Sequence, residues 1–274
     1  MRIGNSKVTA SGVLERTEKE NVKFVNLQFT DLAGVVKTVT IPIRQFADCI
    51  EHGKWFDGSS VEGFARIVES DMYLKPDLDT FIVLPQEKAE AATARVICWV
   101  YTPRGEIFAG DPRAALARVL REAVELGYEY KLGPEIEFFL FRLGEAGRLA
   151  PLLYDRGGYF DLSTEMTTYV RSEVVNAVQA LGIEVEASHH EVAMGQYELD
   201  LQCDDALKIA DDTVTLRYTV KAVAQKHGLH ATFMPKPIFG IEGNGMHTHQ
   251  SLTEVEGGRN AFADPVDEYG LSEI

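Results

Sequence analysis

The stretch Leu132-Gly133-Pro134-Glu135-Ile136-Glu137-Phe138-Phe139-Leu140-Phe141 constrains this chain more than any other segment. It reads as part of a strand over 129–142, because its apolar and aromatic side chains suit a sheet. Side chains on a strand alternate between faces, so Glu135 and Glu137 point the same way, beside Phe139 and Phe141. Two carboxylates two residues apart on so apolar a strand repel each other and lose hydration if buried. Either a divalent cation compensates them, or the end of the strand reaches solvent.

Two further segments repeat the pattern. In Ser188-His189-His190-Glu191-Val192-Ala193-Met194-Gly195-Gln196-Tyr197-Glu198-Leu199-Asp200, the pair Gly195-Gln196 suits a turn between two short strands. A tight hairpin there brings Glu191 near Glu198 and leaves His189 on the face of Glu191. In Gly243-Asn244-Gly245-Met246-His247-Thr248-His249-Gln250-Ser251, a strand places His247 and His249 on one face with Ser251 following. The glycines just upstream allow close approach of a ligand to the backbone. Taken singly, a His-Glu pair is commonly a surface pair, and His-x-His is commonly structural or solvated. Together, three strands each present an i, i+2 pair of metal-ligand types: Glu/Glu, His/Glu and His/His. Carboxylate-dominated sites with a single imidazole suit Mg²⁺ or Mn²⁺ better than Zn²⁺. Two hard cations held by glutamates point to chemistry on phosphate oxygens. No GxxxxGK[ST] loop occurs, so any nucleotide must be gripped mainly through metal.

Charge narrows the partners. The chain carries 42 Asp and Glu against 27 Lys and Arg, a net charge of −15. That balance argues against nucleic-acid binding, which needs clustered basic residues. It fits a cation binder, although a solvated acidic surface gives the same total. With 274 residues, 45% hydrophobic and 25% charged, the composition is that of a globular protein of about two domains. Cys49, Cys98 and Cys203 are scattered, which points to reduced core thiols rather than a disulfide framework. Residues Met1 to Val13 hold no apolar signal region, and no run of 18 apolar residues occurs. The expectation is a soluble, cytoplasmic protein with no membrane partner.

Strands are expected at 22–29 and 35–41, joined by the turn Asp31-Leu32-Ala33-Gly34, then a short helix at 43–52 and a turn at Phe56-Asp57-Gly58-Ser59-Ser60. Further strands are expected at 79–84 and 94–101. Asp111-Pro112 starts a helix with an apolar stripe of Ala115, Leu116, Val119, Leu120, Ala123 and Val124, stopped by Gly127. After the 129–142 strand, helices near 164–181 and 205–227 are stopped by Gly182 and Gly228. Strands are expected at 183–192, 195–202, 230–234 and 246–252. The long helices should cover one face of a sheet.

These segments together resemble glutamine synthetase of the bacterial and archaeal type I class. The resemblance is carried by Phe56-Asp57-Gly58-Ser59-Ser60, Glu62-Gly63-Phe64 with Glu69-Ser70-Asp71-Met72, and Gly133-Pro134-Glu135-Ile136-Glu137-Phe138-Phe139. It continues through His189-His190-Glu191-Val192, Gly195-Gln196-Tyr197-Glu198, Met234-Pro235-Lys236-Pro237 and Gly245-Met246-His247-Thr248-His249-Gln250-Ser251-Leu252, in the family's order. It implies an α+β fold: an N-terminal β-grasp domain over 16–102, then a catalytic domain over 108–274 with a curved antiparallel sheet and flanking helices. It also implies a homo-oligomer of two stacked hexameric rings that joins glutamate and ammonia, with ATP hydrolysis, through γ-glutamyl phosphate. By position, Glu137, Glu191 and Glu198 would hold one Mg²⁺ or Mn²⁺ ion, and Glu135 with His247 a second that bridges ATP phosphates. Glu186, His249 and Ser251 match nucleotide-binding positions. Asp57, donated by the adjacent subunit, would bind ammonium and take its proton, with Ser60 and Tyr159 nearby.

The chain departs from the family pattern in two respects. Glu242, beside Gly243 in the substrate loop, stands where the family usually has an asparagine that binds the α-amino end of the substrate. A γ-glutamyl-amine ligase of the same fold is therefore an alternative, and a non-catalytic truncated relative is another. The family's catalytic domain also continues past Ile274, with substrate arginines, a flap glutamate and a sixth metal ligand; the expectation is that the 274-residue chain alone is inactive. Arg66 falls where one regulated subclass carries an arginine linked to glutamine inhibition, or it is a surface arginine in a loop.

Overall fold

The computed structural model describes residues 8–61, 70–85, 92–144, 147–152, 155–162 and 166–274. The chain divides into two compact units, Met1–Val124 and Glu125–Ile274.

In the first unit, α1 (Ala10–Lys19) is followed by a hairpin of β1 (Val22–Thr30) and β2 (Val36–Pro42). A single 3₁₀ turn leads into α2 (Phe46–His52), and then come β3 (Lys54–Asp57), β4 (Asp71–Pro76), β5 (Ile82–Val83), β6 (Ala92–Tyr101) and α3 (Pro112–Glu125). The described strands form a sheet ordered β2-β1-β6-β4-β3, with β5 also on β6. The β1–β6 pair is parallel and the other pairs are antiparallel. Its core packs Val25, Leu27, Phe46, Leu74, Val96 and Val100. The hairpin turn is fastened by Asp31, whose Oδ1 accepts the amides of Ala33 (2.9 Å) and Val35 (2.8 Å).

Three expectations need correction here. The region 79–84 is not one strand: the 3₁₀ turn Leu78–Thr80 takes its start, and only Ile82–Val83 is strand. The Thr80 hydroxyl accepts the Ile97 amide at 2.8 Å, so a side chain takes a place that a ladder carbonyl would fill. In the expected turn at 56–60, Phe56 and Asp57 still belong to β3 and only Gly58–Ser60 turns. On α3 the buried residues are Ala114, Ala117 and Leu120, whereas Val119 and Val124 are exposed. Alanine is a weak marker of a buried face, and the small side chains form the inward stripe here.

The second unit is built on β7 (Tyr128–Leu143), a strand of 16 residues. After it come β8 (Leu149–Pro151), α4 (Met166–Gln179), β9 (Val185–His190), β10 (Gln196–Leu201), β11 (Asp204–Asp205), α5 (Ala206–Lys226), β12 (Leu229–Thr232) and β13 (Met246–Glu254). Among the described residues these strands form one antiparallel sheet. β13 and β12 lie along one edge of β7, with β11, β10 and β8 along the other and β9 outside β10. Gly127, Gly182 and Gly228 follow α3, α4 and α5 with φ of 94°, 75° and 68°, at the expected stops.

Alternation along β7 separates two environments. Ile136, Phe138 and Leu140 join Tyr197, Leu199 and Leu201 of β10 in a core closed by Val170, Val174 and Val178 of α4 and by Leu216, Val220 and Val223 of α5. Fully burying one such side chain contributes about 1.5–3 kcal/mol. The helices therefore cover that face, as expected from sequence. The other face carries Glu135, Glu137, Phe139 and Phe141. Phe139 and Phe141 pack with Ala193, Ile238 and Ile241 in a small apolar cluster of their own, so the aromatic half of β7 is packing. Cys49 and Cys98 are buried thiols, but Cys203 is exposed. No helix among the described residues is long and apolar enough to cross a membrane.

Candidate metal centre

Strand register assembles the site. Glu137 of β7 lies opposite Glu198 of β10, which lies opposite His189 of β9. One row along, His247 of β13 lies opposite Glu135, and Glu135 opposite Asp200. The turn at Gly195 (φ 72°) makes this register possible, because a left-handed residue closes the link between β9 and β10 without strain. A side chain there would also press on the Leu140 carbonyl at 3.2 Å.

Two three-residue groups among the described residues bring ligand atoms within 4.8 Å of one another: Glu137 with Glu191 and Glu198, and His189 with Glu198 and Asp200. The hairpin thus brings Glu191 to Glu198 as its sequence implied. His189 reaches both, with Nδ1 3.5 Å from Glu191 and Nε2 3.8 Å from Glu198. Glu191 and Glu198 are each only 7% exposed. Burial, together with neighbouring Asp200 and Glu191, pushes the Glu198 carboxyl up to about 9. Burial also raises Asp200. The cluster holds more negative charge than it can keep ionised, so a proton remains where a cation would fit.

Glu135 and His247 belong to neither group. His247 Nδ1 lies 3.8 Å from Glu135, while His249 Nε2 reaches its other oxygen at 2.5 Å. That hydrogen bond to Glu135 raises the His249 pKa. Both histidines are exposed. Ser251 follows on the same side of β13, opposite Lys131. Glu186 occupies a β-bulge: Asp200 pairs with Ala187 and Leu201 with Val185, which leaves Glu186 as the extra residue. A bulge re-aims a side chain, and the charge of Glu186 acts on Asp200 and His249.

Tyr159 and Phe160 stack on each other at 3.9 Å and present edges to the His189 ring at 5.4 and 4.6 Å. Burial and the charges of Glu191 and Glu198 raise the Tyr159 phenol, so it stays protonated near the cluster. Gly243 and Glu242 lie in the loop before β13; Glu242 is exposed, and the Gly243 carbonyl accepts a hydrogen bond from Gln196. Gly245 is in close approach: a Cβ there would sit 2.8 Å from Glu137 Oε1 and 2.9 Å from His247 Cδ2. In the first unit, Asp57 accepts from the Ser59 amide (2.9 Å) and hydroxyl (2.6 Å), which hold its carboxyl below the usual range. Ser60 ends the same short turn. Arg66 lies outside the described residues.

Three participants were not singled out from sequence. Gln196 and Asp200 share the face of Glu198 by the same two-residue alternation that picked out Glu135 and Glu137. Asp155 carries no such signal. It is fully buried, and its Oδ1 meets His190 Nε2 at 3.0 Å, while His190 Nδ1 bonds the Glu191 carbonyl at 2.6 Å. Burial alone would lower the His190 pKa, but these two partners raise it. This pair anchors the backbone between His189 and Glu191 from behind the sheet.

Comparison with known proteins agrees with this architecture. Residues 109–274 match the glutamine synthetase catalytic domain, and residues 21–103 match the glutamine synthetase beta-Grasp domain. The chain belongs to the glutamine synthetase family. It is 48% identical over 267 residues to a glutamine synthetase of Staphylococcus aureus, and 47% identical over 270 residues to one of Clostridium saccharobutylicum. These alignments cover 97% and 98% of this chain but only 59% and 60% of the relatives, so the chain spans about three fifths of their length. A solved GmaS/ADP complex superposes with a TM-score of 0.85 at 32% identity, over 94% of this chain and 59% of that one. A Plasmodium falciparum glutamine synthetase structure gives the same TM-score at 23% identity over 97% of this chain and 58% of that one, a likeness of fold. The α+β reading holds: a β-grasp domain, then a glutamine synthetase catalytic domain with a curved sheet.

Proposed function

We propose that this chain supplies the metal-binding and ammonia-handling part of an ATP-dependent glutamate–ammonia ligase, which forms glutamine through γ-glutamyl phosphate. The observation that carries the reading is the convergence of Glu137, Glu191 and Glu198 within 4.8 Å, where burial and neighbouring carboxylates raise the Glu198 pKa. The donor set is mostly carboxylate oxygen, which suits hard divalent ions.

In this reading Glu137, Glu191 and Glu198 hold one Mg²⁺ or Mn²⁺ ion, and Glu135 and His247 a second. When bound, the two ions neutralise charge gathered on the oxygens of the transferred phosphoryl group. Glu186, His249 and Ser251 line the nucleotide side, and Glu242 and Gly243 the amino-acid side. Asp57 comes from the adjacent subunit of a ring assembly, and its lowered pKa keeps it ionised at neutral pH. An ionised carboxylate attracts ammonium and accepts its proton, which leaves ammonia to attack the acyl phosphate. The Tyr159 hydroxyl, which keeps its proton, and Ser60 orient the ammonium.

A second reading, ligation of glutamate to another amine, rests on the exposed carboxylate of Glu242 in the substrate loop. One assay separates the two: Mg²⁺-dependent phosphate release from ATP with glutamate plus ammonium or plus a polyamine. It is run on this chain fused to the remaining region of the Staphylococcus aureus relative. Faster turnover with ammonium supports the first reading and faster turnover with the polyamine the second. Absence of turnover by a folded, metal-binding fusion rejects both.

A further inference from the structure

Gln196 opens β10 at 1% exposure, and every hydrogen-bonding position of its amide nitrogen is used. Its Oε1 accepts the Ala193 amide at 3.2 Å and closes the turn between β9 and β10. Its Nε2 donates to Glu137 Oε2 at 2.7 Å and to the Gly243 carbonyl at 2.9 Å, with Asn244 Oδ1 further off at 3.4 Å. A carboxamide nitrogen has two hydrogens, and the two short contacts consume both. One hydrogen fixes a carboxylate of the acidic cluster through a charge-assisted bond. The other fixes the backbone of the loop that carries Glu242. That loop is closed on itself by Asn244, whose amide donates to the Pro235 carbonyl (2.8 Å) and whose Nδ2 donates to the Met234 carbonyl (3.0 Å).

We propose that Gln196 is a positioning residue that couples the carboxylate cluster to the 240–245 loop, so that a divalent cation bound at Glu137 and the ordered loop stabilise each other. A cation needs Glu137 in one rotamer, and Gln196 holds that rotamer only while Gly243 anchors the other half of its amide. Coupling between two sites is reciprocal, so loosening either end weakens the other. The inference rests on the metal reading of the cluster.

The test uses the whole chain with Mn²⁺ as the probe. Calorimetry gives the affinity, and hydrogen exchange followed by mass spectrometry gives the protection of 240–245. In the unsubstituted chain Mn²⁺ should slow exchange in the loop by about fivefold or more, the low end of ordinary coupling. Gln196→Met, similar in size but without donors, should bind Mn²⁺ at least about fivefold more weakly and show no Mn²⁺-dependent loop protection, with an unchanged circular dichroism spectrum. Asn244→Ala removes the loop's bond to the Met234 carbonyl and should weaken Mn²⁺ binding without changing Glu137 itself; it carries the test if Gln196→Met does not fold. A residue that merely fills the turn would leave the Mn²⁺ response of the loop intact. Equal Mn²⁺ affinity in all three chains, or loop exchange indifferent to bound Mn²⁺, overturns the coupling while leaving the metal reading in place. Failure of the unsubstituted chain to bind Mn²⁺ overturns the metal reading and the coupling with it.

Discussion

Binding of a divalent cation to this chain should expel about one proton. In the absence of a cation the Glu198 carboxyl sits at about 9, raised by burial and by Asp200 and Glu191. At pH 7, well below that value, the protonated carboxyl prevails. A cation ligated by Glu198 requires the carboxylate, so it must displace that proton. The apparent affinity for Mn²⁺ should then rise about tenfold for each pH unit between 6 and 8 and level off above 9. Calorimetric titration in two buffers of different ionisation enthalpy counts the released protons directly. Glu198→Gln, permanently neutral, should bind more weakly, and its proton release should collapse. The same shift has a sign for stability: a raised carboxyl favours the folded state at low pH, and that contribution is lost as pH rises from about 4.3 towards 9. Without cation, the melting temperature should therefore fall over this window, and saturating Mn²⁺ should restore it on the alkaline side. Tight binding with no proton release and no pH dependence would refute the account of a crowded carboxylate cluster.

Other substitutions probe separate parts of the site. Glu137→Gln puts an amide where a ligand carboxylate stands and disturbs its bond from Gln196 Nε2, so Mn²⁺ affinity should fall at least about tenfold by calorimetry while the chain stays folded by circular dichroism. Unchanged Mn²⁺ affinity in the folded variant would count against the ligand role. Gly245→Ala pushes a methyl against Glu137 Oε1 and the His247 ring, and should weaken Mn²⁺ binding severalfold with little change in melting temperature. Equal binding would mean that the neighbours yield freely. Asp155→Ala strips the buried His190 of its Nε2 partner and should cost about 1–3 kcal/mol of stability by chemical denaturation. A neutral effect would show that a water replaces the carboxylate.

Much of the candidate centre was legible because a strand has a period of two. That period places Glu135 with Glu137, His247 with His249 and, had it been pressed further, Gln196 and Asp200 with Glu198. The same local regularity located β7, α4, α5 and the glycines that stop the helices. Where local signals are weak the reading failed: the alanine-rich α3 exposes Val119 and Val124, and Thr80 turns the chain where a strand was expected. The bulge at Glu186 breaks the alternation that sequence relies on.

Composition and periodicity thus determined which side chains share a face, since that is a property of a few consecutive residues. Only the tertiary structure decided which faces meet. Register across β13, β7, β10 and β9 sets Glu137 against Glu198 and His247 against Glu135, through hydrogen bonds between strands that, for β13 with β7 and β7 with β10, lie far apart in the sequence. The pKa of Glu198, the anchoring of His190 by Asp155 and the link from Gln196 to Gly243 all follow from that meeting. Desolvation and charge crowding depend on neighbours in space, and a sequence lists neighbours only along the chain.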